Sequence, residues 1–503
     1  MSPSSSMQRS KLRVISLFLV SVFVLVSVHQ QLSDWINSRS FKERPLFDFD
    51  FPEDTYHDTQ ETEAPYNAHD PDDNVVVLPP VTQLPFLCQS YECAVGKWVP
   101  RREKFTSLEH VQTVYSNLYH PVWSGCGVGE PPEDEEEKKR LEGQKLVDTM
   151  NWEWVPDRGM LLEYDPVEFV VRLLKSPGGL VLVGDSISRQ HWHAMYYTWR
   201  HLNITFDSNP PHLPLAGVAN VEQFVLSKSS PMTKILQEKA GVPQSRMERP
   251  FFTLLEDHML LHQPDIRAIT GAKPTYKWIH KYKMVDGWED HLKWLAMPRE
   301  EEKSSVTEDT LVLINAGAHW SRHELGMLRA PTNAEEQVLL EAVYPQMIDL
   351  VTSRLSPIER TSIYYRSTSP GHPTCKDHFM PYTDMAHARL QEKGLVHRLQ
   401  ETVVSSDDKK QRSRWDWDMF KPHNEMWNQT IDSMTEKRSP ESKNAKWYYF
   451  DIWDLSMQRP DAHLNPGQDC LHWCLPAVFD DWTKLFVHRV NLEESRADLK
   501  VLG

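Results

Sequence analysis

The sequence predicts an α/β fold: a doubly wound parallel sheet with helices on both faces, preceded by a cysteine-containing N-terminal region. Three observations carry that expectation. The apolar runs "LVLVG" (Leu180–Gly184) and "TLVLINAG" (Thr310–Gly317) lack the alternation of a half-solvated strand, so they read as strands buried on both faces. Stretches of helical composition lie between the apolar runs, as crossovers between parallel strands require. Each run ends in small or polar turn residues, at the strand ends where open α/β sheets place their ligands.

The elements follow in order. "DPVEFVVRLL" from Asp165 has apolar residues at helical spacing and is stopped by "SPGG". "LVLVG" is then a strand and "SRQHWHAMYYTWRHL" a helix. "TLVLINAG" is a second buried strand, and "AEEQVLLEAVYPQMIDLVTSRL" an amphipathic helix that Pro345 should kink or split. "TSIYYRSTSP" and "KWYYFDIW" supply a third and a fourth strand. Pro298 to Asp309 and Glu401 to Arg414 are polar and charged and read as surface insertions, and "EPPEDEEEKKR" as a solvated loop or exposed helix start. The organisation expected is a tail (1–13), an anchor (14–30), an acidic stem (31–84), the cysteine-containing region (85–164) and the α/β domain (165–503).

Arg9, Lys11 and Arg13 precede the apolar run Val14–Val28, and no small-x-small cleavage site follows it. This predicts an uncleaved signal anchor, with the short tail cytosolic and the bulk of the chain in a lumen. The stem is proline-dotted, acidic and without periodicity, as a flexible spacer is. The chain of 503 residues carries a net charge of −16 and no basic block beyond the N-terminus, which argues against a nucleic-acid partner. Its 18 Trp residues read mainly as core, with some available to stack on sugar faces.

The six cysteines, Cys88, Cys93, Cys126, Cys375, Cys470 and Cys474, are an even count that suits disulfides in an oxidising lumen. Zinc is the alternative, since His463 and His472 lie near Cys470 and Cys474. No second closely spaced pair completes a four-ligand frame, so no metal is expected. Asn203-Ile-Thr and Asn428-Gln-Thr are candidate glycosylation sites.

Three segments carry candidate chemistry. In "GDS", Ser186 stands at a helix start, where backbone N–H groups favour negative charge; it is either a nucleophile or one of several candidate caps with Asp185 and Ser188. In "INAGAHW", the Asn315 amide can donate to an oxyanion and Gly317 lets backbone approach a ligand closely, or both are simply turn residues. His319 is a site residue or a partly buried histidine. In "GQDCLHWCLPAVFDDW", Asp469 and His472 face one way on a helical or turn-like backbone, so the carboxylate can orient the imidazole toward a serine. The competing reading is a disulfide-rich structural turn.

Taken together, "GDSISRQHW" and "DCLHWCLP...DDW" resemble the two signature blocks of the trichome-birefringence-like proteins. These are polysaccharide O-acetyltransferases of the wider PC-esterase group, with an SGNH/GDSL-like fold. "CAVGKWVP", "WEWVP", "INAGAHW" and "YRSTSPGH" resemble further blocks of that family. The resemblance runs from Cys88 to the C-terminus, with Asn203 to Glu308 poorly matched. The chain departs from the family in having fewer N-terminal cysteines, an extra residue in "NAGAHW", and Pro-Ala after the second signature.

The resemblance implies Ser186 as nucleophile, His472 as base and Asp469 as its orienting partner. It implies the Ser186 N–H and the Asn315 side chain as oxyanion donors, and places Arg366 and His372 near the site. At least one of Cys470 and Cys474 is expected to bond outside its own loop, to the N-terminal region or to Cys375. The function implied is transfer of acetyl groups onto hydroxyls of a cell-wall or secreted polysaccharide through an acetyl-serine. No bound cofactor is expected; the donor is acetyl-CoA or an acetyl group relayed by a partner protein. The expected location is the Golgi membrane as a single-pass type II protein, or secretion if the N-terminal segment is cleaved. The alternatives are an acetyl esterase with the same triad and a non-catalytic luminal glycan-binding protein.

Overall fold

A computed structural model of the chain describes residues 86–115, 126–277, 282–372, 375–401 and 416–502. The expected tail, anchor and stem, and nearly all of Glu401–Arg414, lie outside the described residues. No helix among the described residues is long and apolar enough to cross a membrane.

Strands β1 (Gly96–Pro100) and β2 (Trp152–Pro156) form an antiparallel ribbon. Between them lies α1 (Glu135–Met150), started by Asp134, whose carboxylate accepts from the N–H groups of Glu136 and Glu137. Helix α2 (Pro166–Leu174), capped in the same way by Asp165, leads into β3 (Leu180–Gly184) and then α3 (Ser186–His201). The short β4 (Phe206–Ser208), β5 (Val221–Leu226) and β6 (Phe252–Glu256) follow. Next come β7 (Thr310–Ile314), α4 (Asn333–Leu355), β8 (Thr361–Arg366), α5 (Trp417–Lys437) and β9 (Lys446–Phe450). A small hairpin of β10 (His463–Asn465) and β11 (Asp469–Trp473) precedes α6 (Ala477–Leu502).

The main sheet has seven strands in the order β4-β5-β6-β3-β7-β8-β9. The run from β6 to β9 is parallel, but β4 and β5 are antiparallel to their neighbours. The parallel run is the doubly wound sheet expected, and β4 and β5 add an antiparallel edge to it. That edge comes from the stretch 203–308, where no strand was read. A single loop joins β4 to β5, and so short a link permits antiparallel pairing without a crossover helix.

Alternation along the central strands explains why they read as continuous apolar runs. Leu180 and Leu182 of β3, with Leu311 and Leu313 of β7, pack on one face against Phe169 of α2, Trp199 of α3 and Phe486 of α6. Val181, Val183, Val312 and Ile314 pack on the other against Leu340 and Tyr344 of α4 and Trp427 of α5. Each such buried side chain contributes roughly 1.5–3 kcal/mol, which selects a central position for β3 and β7.

Of the kink or split expected at Pro345, the split does not occur: helix α4 runs through it, started by a Thr332–Glu335 capping box. One further expectation changes. The polar stretch 298–309 is not all surface. Glu302 is fully buried and pairs with the buried Arg249 at 3.1 Å, because an unpaired carboxylate there would be costly.

All six cysteines are paired, as Cys88–Cys93, Cys126–Cys474 and Cys375–Cys470. Cys474 therefore reaches the N-terminal region and Cys470 reaches Cys375, so both bond outside their own loop. The described residues of the cysteine-containing region and of the sheet belong to one compact unit.

Candidate active site

Ser186 lies at the carboxyl end of the central strand, in the turn from β3 to α3. Gly184 is required there by close approach: a Cβ would sit 2.5 Å from Ser188 Oγ and 2.8 Å from the Asn315 carbonyl oxygen. Asp185 is the cap of α3, its carboxylate accepting from the Ile187 N–H at 3.0 Å. The capping task thus falls to Asp185 and leaves the Ser186 hydroxyl for other use. That hydroxyl is 2.7 Å from His472 Nε2.

His472 Nδ1 is 2.7 Å from Asp469 Oδ2. Since a carboxylate only accepts, Nδ1 carries the proton, and Nε2 accepts from Ser186. Asp469 and His472 stand on a strand rather than on helical or turn-like backbone. Three residues apart on a regular strand, they would face opposite sides. A local fold-back reconciles the two: Asp469 Oδ1 accepts from the N–H groups of Leu471 and His472 at 3.1 and 3.0 Å. The β10–β11 pairing is irregular between His463 and Asn465, as a bulged hairpin is.

Asp469 and His472 are both buried. Burial by itself would push the Asp469 carboxyl up, but His472 beside it outweighs burial and holds it at about 2. Burial by itself would depress His472; the charge and hydrogen bond of Asp469 win, with smaller help from Asp185 and Glu256, and hold it above the ordinary histidine value.

Asn315, Gly317, Arg366 and His372 are also near this strand end, but their surroundings differ from expectation. The Asn315 side-chain amide is engaged elsewhere, donating to the Arg366 carbonyl at 2.9 Å and to Thr368 Oγ1 at 3.1 Å. The carbonyl partner fixes the amide orientation, so Asn315 ties the end of β7 to the end of β8. A Cβ at Gly317 would meet Thr368 Oγ1 at 2.0 Å, so this neighbour by itself requires a glycine there. Arg366 is buried beneath the start of α3, with Nη2 3.3 Å from Ser188 Oγ and its guanidinium over the Trp482 ring. Burial lowers it to about 10 against the opposing charge of Asp185.

His372 braces the base loop. Its backbone N–H donates to the Cys470 carbonyl at 3.0 Å, its Nδ1 is 2.7 Å from His463 Nε2, and its Nε2 is 3.1 Å from the Met457 carbonyl. His463 Nδ1 in turn donates to the His472 carbonyl at 3.0 Å. Burial pushes His372 down to about 4. Of the glycosylation candidates, Asn203 is exposed in the turn after α3, whereas Asn428 is half-buried within α5.

Several neighbours of the serine were not read from sequence. Glu256, at the end of β6, lies opposite Gly184 and is fully buried between Lys283 Nζ at 2.7 Å and Arg189 Nη2 at 2.6 Å. Burial would raise its carboxyl, but His258, Arg189 and Lys283 together hold it at about 2. His258 stacks on His319 with ring centroids 3.9 Å apart. The signal that marks Glu256 is a charge ending the apolar run "FFTLL", in a stretch not read as a strand.

Cys88, Cys93 and His488 form the one cluster with metal-ligand spacing among the described residues. Its two sulfurs are bonded to each other. His488 Nδ1 accepts from the Leu162 N–H at 2.9 Å, which puts the proton on Nε2, facing the Cys88 carbonyl at 3.1 Å. That tautomer offers no free lone pair to a metal.

Residues 289–489 match the PC-esterase family, described as a GDSL/SGNH-like acyl-esterase family found in Pmr5 and Cas1p. The match contains Asp469 and His472 and begins after Ser186. Three curated proteins of Arabidopsis thaliana are similar to the chain. Protein trichome birefringence-like 25 is 22% identical over 387 residues, 71% of each chain. Protein trichome birefringence-like 9 is 22% identical over 363 residues, 68% of this chain and 72% of that one. Protein trichome birefringence-like 39 is 47% identical over 45 residues, 8% of this chain, which spans only 12% of that relative's length.

Proposed function

We propose that the chain is a distant member of the PC-esterase and trichome-birefringence-like group and works as an O-acetyltransferase on polysaccharide hydroxyls. The observation that carries the reading is the pair of 2.7 Å contacts joining Ser186, His472 and Asp469.

In this reading Ser186 Oγ attacks the acetyl carbonyl carbon and passes its proton to His472 Nε2. Asp469 holds Nδ1–H and stabilises the imidazolium that forms. The backbone N–H of Ser186, at the start of α3, faces the developing oxyanion, where the helix dipole also favours negative charge. Collapse breaks the bond to the leaving group, which takes the proton from His472, and leaves acetyl-Ser186. A glycan hydroxyl then attacks, His472 removes its proton, and the ester forms while Ser186 recovers its hydrogen. The donor is acetyl-CoA or an acetyl group handed on by a partner protein. The proposed setting is the Golgi lumen, with residues 14–30 as the membrane anchor.

Hydrolysis is the second reading, favoured by the acyl-esterase description of the matched family. It differs only in water replacing the sugar hydroxyl. Protein supplied with an acetyl donor and acceptor oligosaccharides, followed by mass spectrometry, separates the two. Gain of acetyl that disappears in Ser186→Ala supports transfer; loss from pre-acetylated glycan supports hydrolysis. Folded Ser186→Ala is expected to fall by at least about a thousandfold, and unchanged activity in it overturns both readings.

A further inference from the structure

The serine and the histidine come from segments nearly three hundred residues apart, so something must set their distance. One side chain bridges the two segments directly. Gln190, fully buried in α3, stands one helical turn beyond Ser186 and lies on the same side of the helix. Its Nε2 donates to the Trp473 carbonyl at 2.8 Å, and its Oε1 accepts from the Trp473 N–H at 3.1 Å. A flipped amide would set donor against donor and acceptor against acceptor, so the orientation is fixed. Trp473 is the residue after His472.

We propose that Gln190 is a positioning residue, a two-bond clamp that sets the approach of His472 Nε2 to Ser186 Oγ. The inference rests on the acyl-serine reading above. The clamp joins the backbone next to the base to the helix that starts at the nucleophile, so the two reacting atoms move as one body. The rest of the Trp473 environment holds the same residue from other sides. Its indole Nε1 donates to Ser369 Oγ at 3.1 Å, and its ring stacks on His463 at 4.1 Å. These contacts fix the strand in the fold. Gln190 alone among these partners belongs to the helix that carries Ser186. Loss of the clamp lets the base drift, and a displacement near 1 Å costs roughly a hundredfold in rate.

The test uses full-length protein and a chromogenic acetyl ester, with labelling of Ser186 by a serine-reactive phosphonate as a second readout. Gln190→Leu keeps the volume and removes both bonds. It is expected to lose about a hundredfold in kcat with KM within about twofold, the split that misalignment predicts. Gln190→Glu tests the hydrogen pattern itself. A protonated carboxyl reproduces both bonds, because its O–H donates to the Trp473 carbonyl while its C=O accepts the N–H. An ionised one sets a bare oxygen against that carbonyl. Gln190→Glu is therefore expected to gain an alkaline loss of activity that wild-type protein lacks.

A merely structural role would lower the yield of folded protein without adding that limb. If Gln190→Leu fails to fold, the Gln190→Glu profile decides. Variants labelled at the wild-type rate, or a Gln190→Glu profile parallel to wild type, overturn the clamp. Wild-type protein that is not labelled at Ser186 overturns the acyl-serine reading instead, and the clamp with it.

Discussion

The two halves of the candidate site are built in different ways. The serine half is local. One buried strand, a glycine, a capping aspartate and a helix start occupy consecutive positions, and the neighbours of that strand seat them. The histidine half is assembled from afar. The β10–β11 hairpin is held by Cys375 to Cys470, by Cys126 to Cys474, by the His372 N–H donating to the Cys470 carbonyl, and by Gln190. A short hairpin outside the main sheet has too little core of its own to stay in one place. Cross-links compensate, and they reach three separate parts of the chain: Cys126, the His372–Cys375 turn and Gln190. The serine half should therefore respond to local backbone change and the histidine half to loss of distant ties.

The strongest way to break this contrast is to open the Cys375–Cys470 bond by the double change Cys375→Ser and Cys470→Ser. The loop it closes spans 95 residues, and a loss of about 2–5 kcal/mol is expected. Activity should fall more than it does in the Cys88→Ser, Cys93→Ser double variant, whose bond closes only 5 residues and joins no residue of the hairpin. Chemical denaturation together with ester turnover compares the two. Equal losses of activity in both would show that the histidine half does not depend on its own tie.

Next is Gly184→Ala on the serine side. The added Cβ meets Ser188 and the Asn315 backbone, and overpacking of this kind costs about 1–3 kcal/mol. Labelling of Ser186 should slow, while the disulfide map stays unchanged. A variant as stable and as readily labelled as wild type would remove the argument for close approach.

The smallest effect is on pH. His472 must be neutral to accept the serine proton, and its affinity for that proton is raised above the ordinary value of 6.5. The acid limb of the pH–rate profile should therefore lie above 6.5. In the Asp469→Asn variant it should move down, since the neighbouring charge that opposes burial is gone. The stability linkage has the matching sign. A histidine raised in the fold stabilises below its unfolded value and loses that contribution as pH rises through its folded one; Asp469, held at about 2, stabilises above the usual carboxylate range and loses that as pH falls. An acid limb at or below 6.5 in wild type would contradict the environment assigned to His472.

Much was legible in the sequence because it is encoded in short windows. "LVLVG", "TLVLI", "TSIYYR" and "KWYYF" show as strands because burial on both faces demands unbroken apolar residues. Ser186, Asp469 and His472 were visible as residue types at the ends of such runs or in a cysteine-flanked turn. The resemblance to a family then linked two blocks that no local rule connects. Asn315 shows the limit. As a residue type at a strand end it fits an oxyanion donor, but the Arg366 carbonyl at the end of β8 and Thr368 in the loop after it take its amide hydrogens. No window around Asn315 contains those partners.

By itself the sequence determined the central strands and the helices they alternate with, and which side chains could do acyl chemistry. The antiparallel edge, the fold-back that brings Asp469 onto His472, the three cysteine pairs and the Gln190 bond to Trp473 were decided only by tertiary structure. The physical reason is range. Helix caps and buried strands are selected by neighbours a few residues away, whereas hydrogen bonds and disulfides between distant segments depend on which surfaces meet after the core has formed.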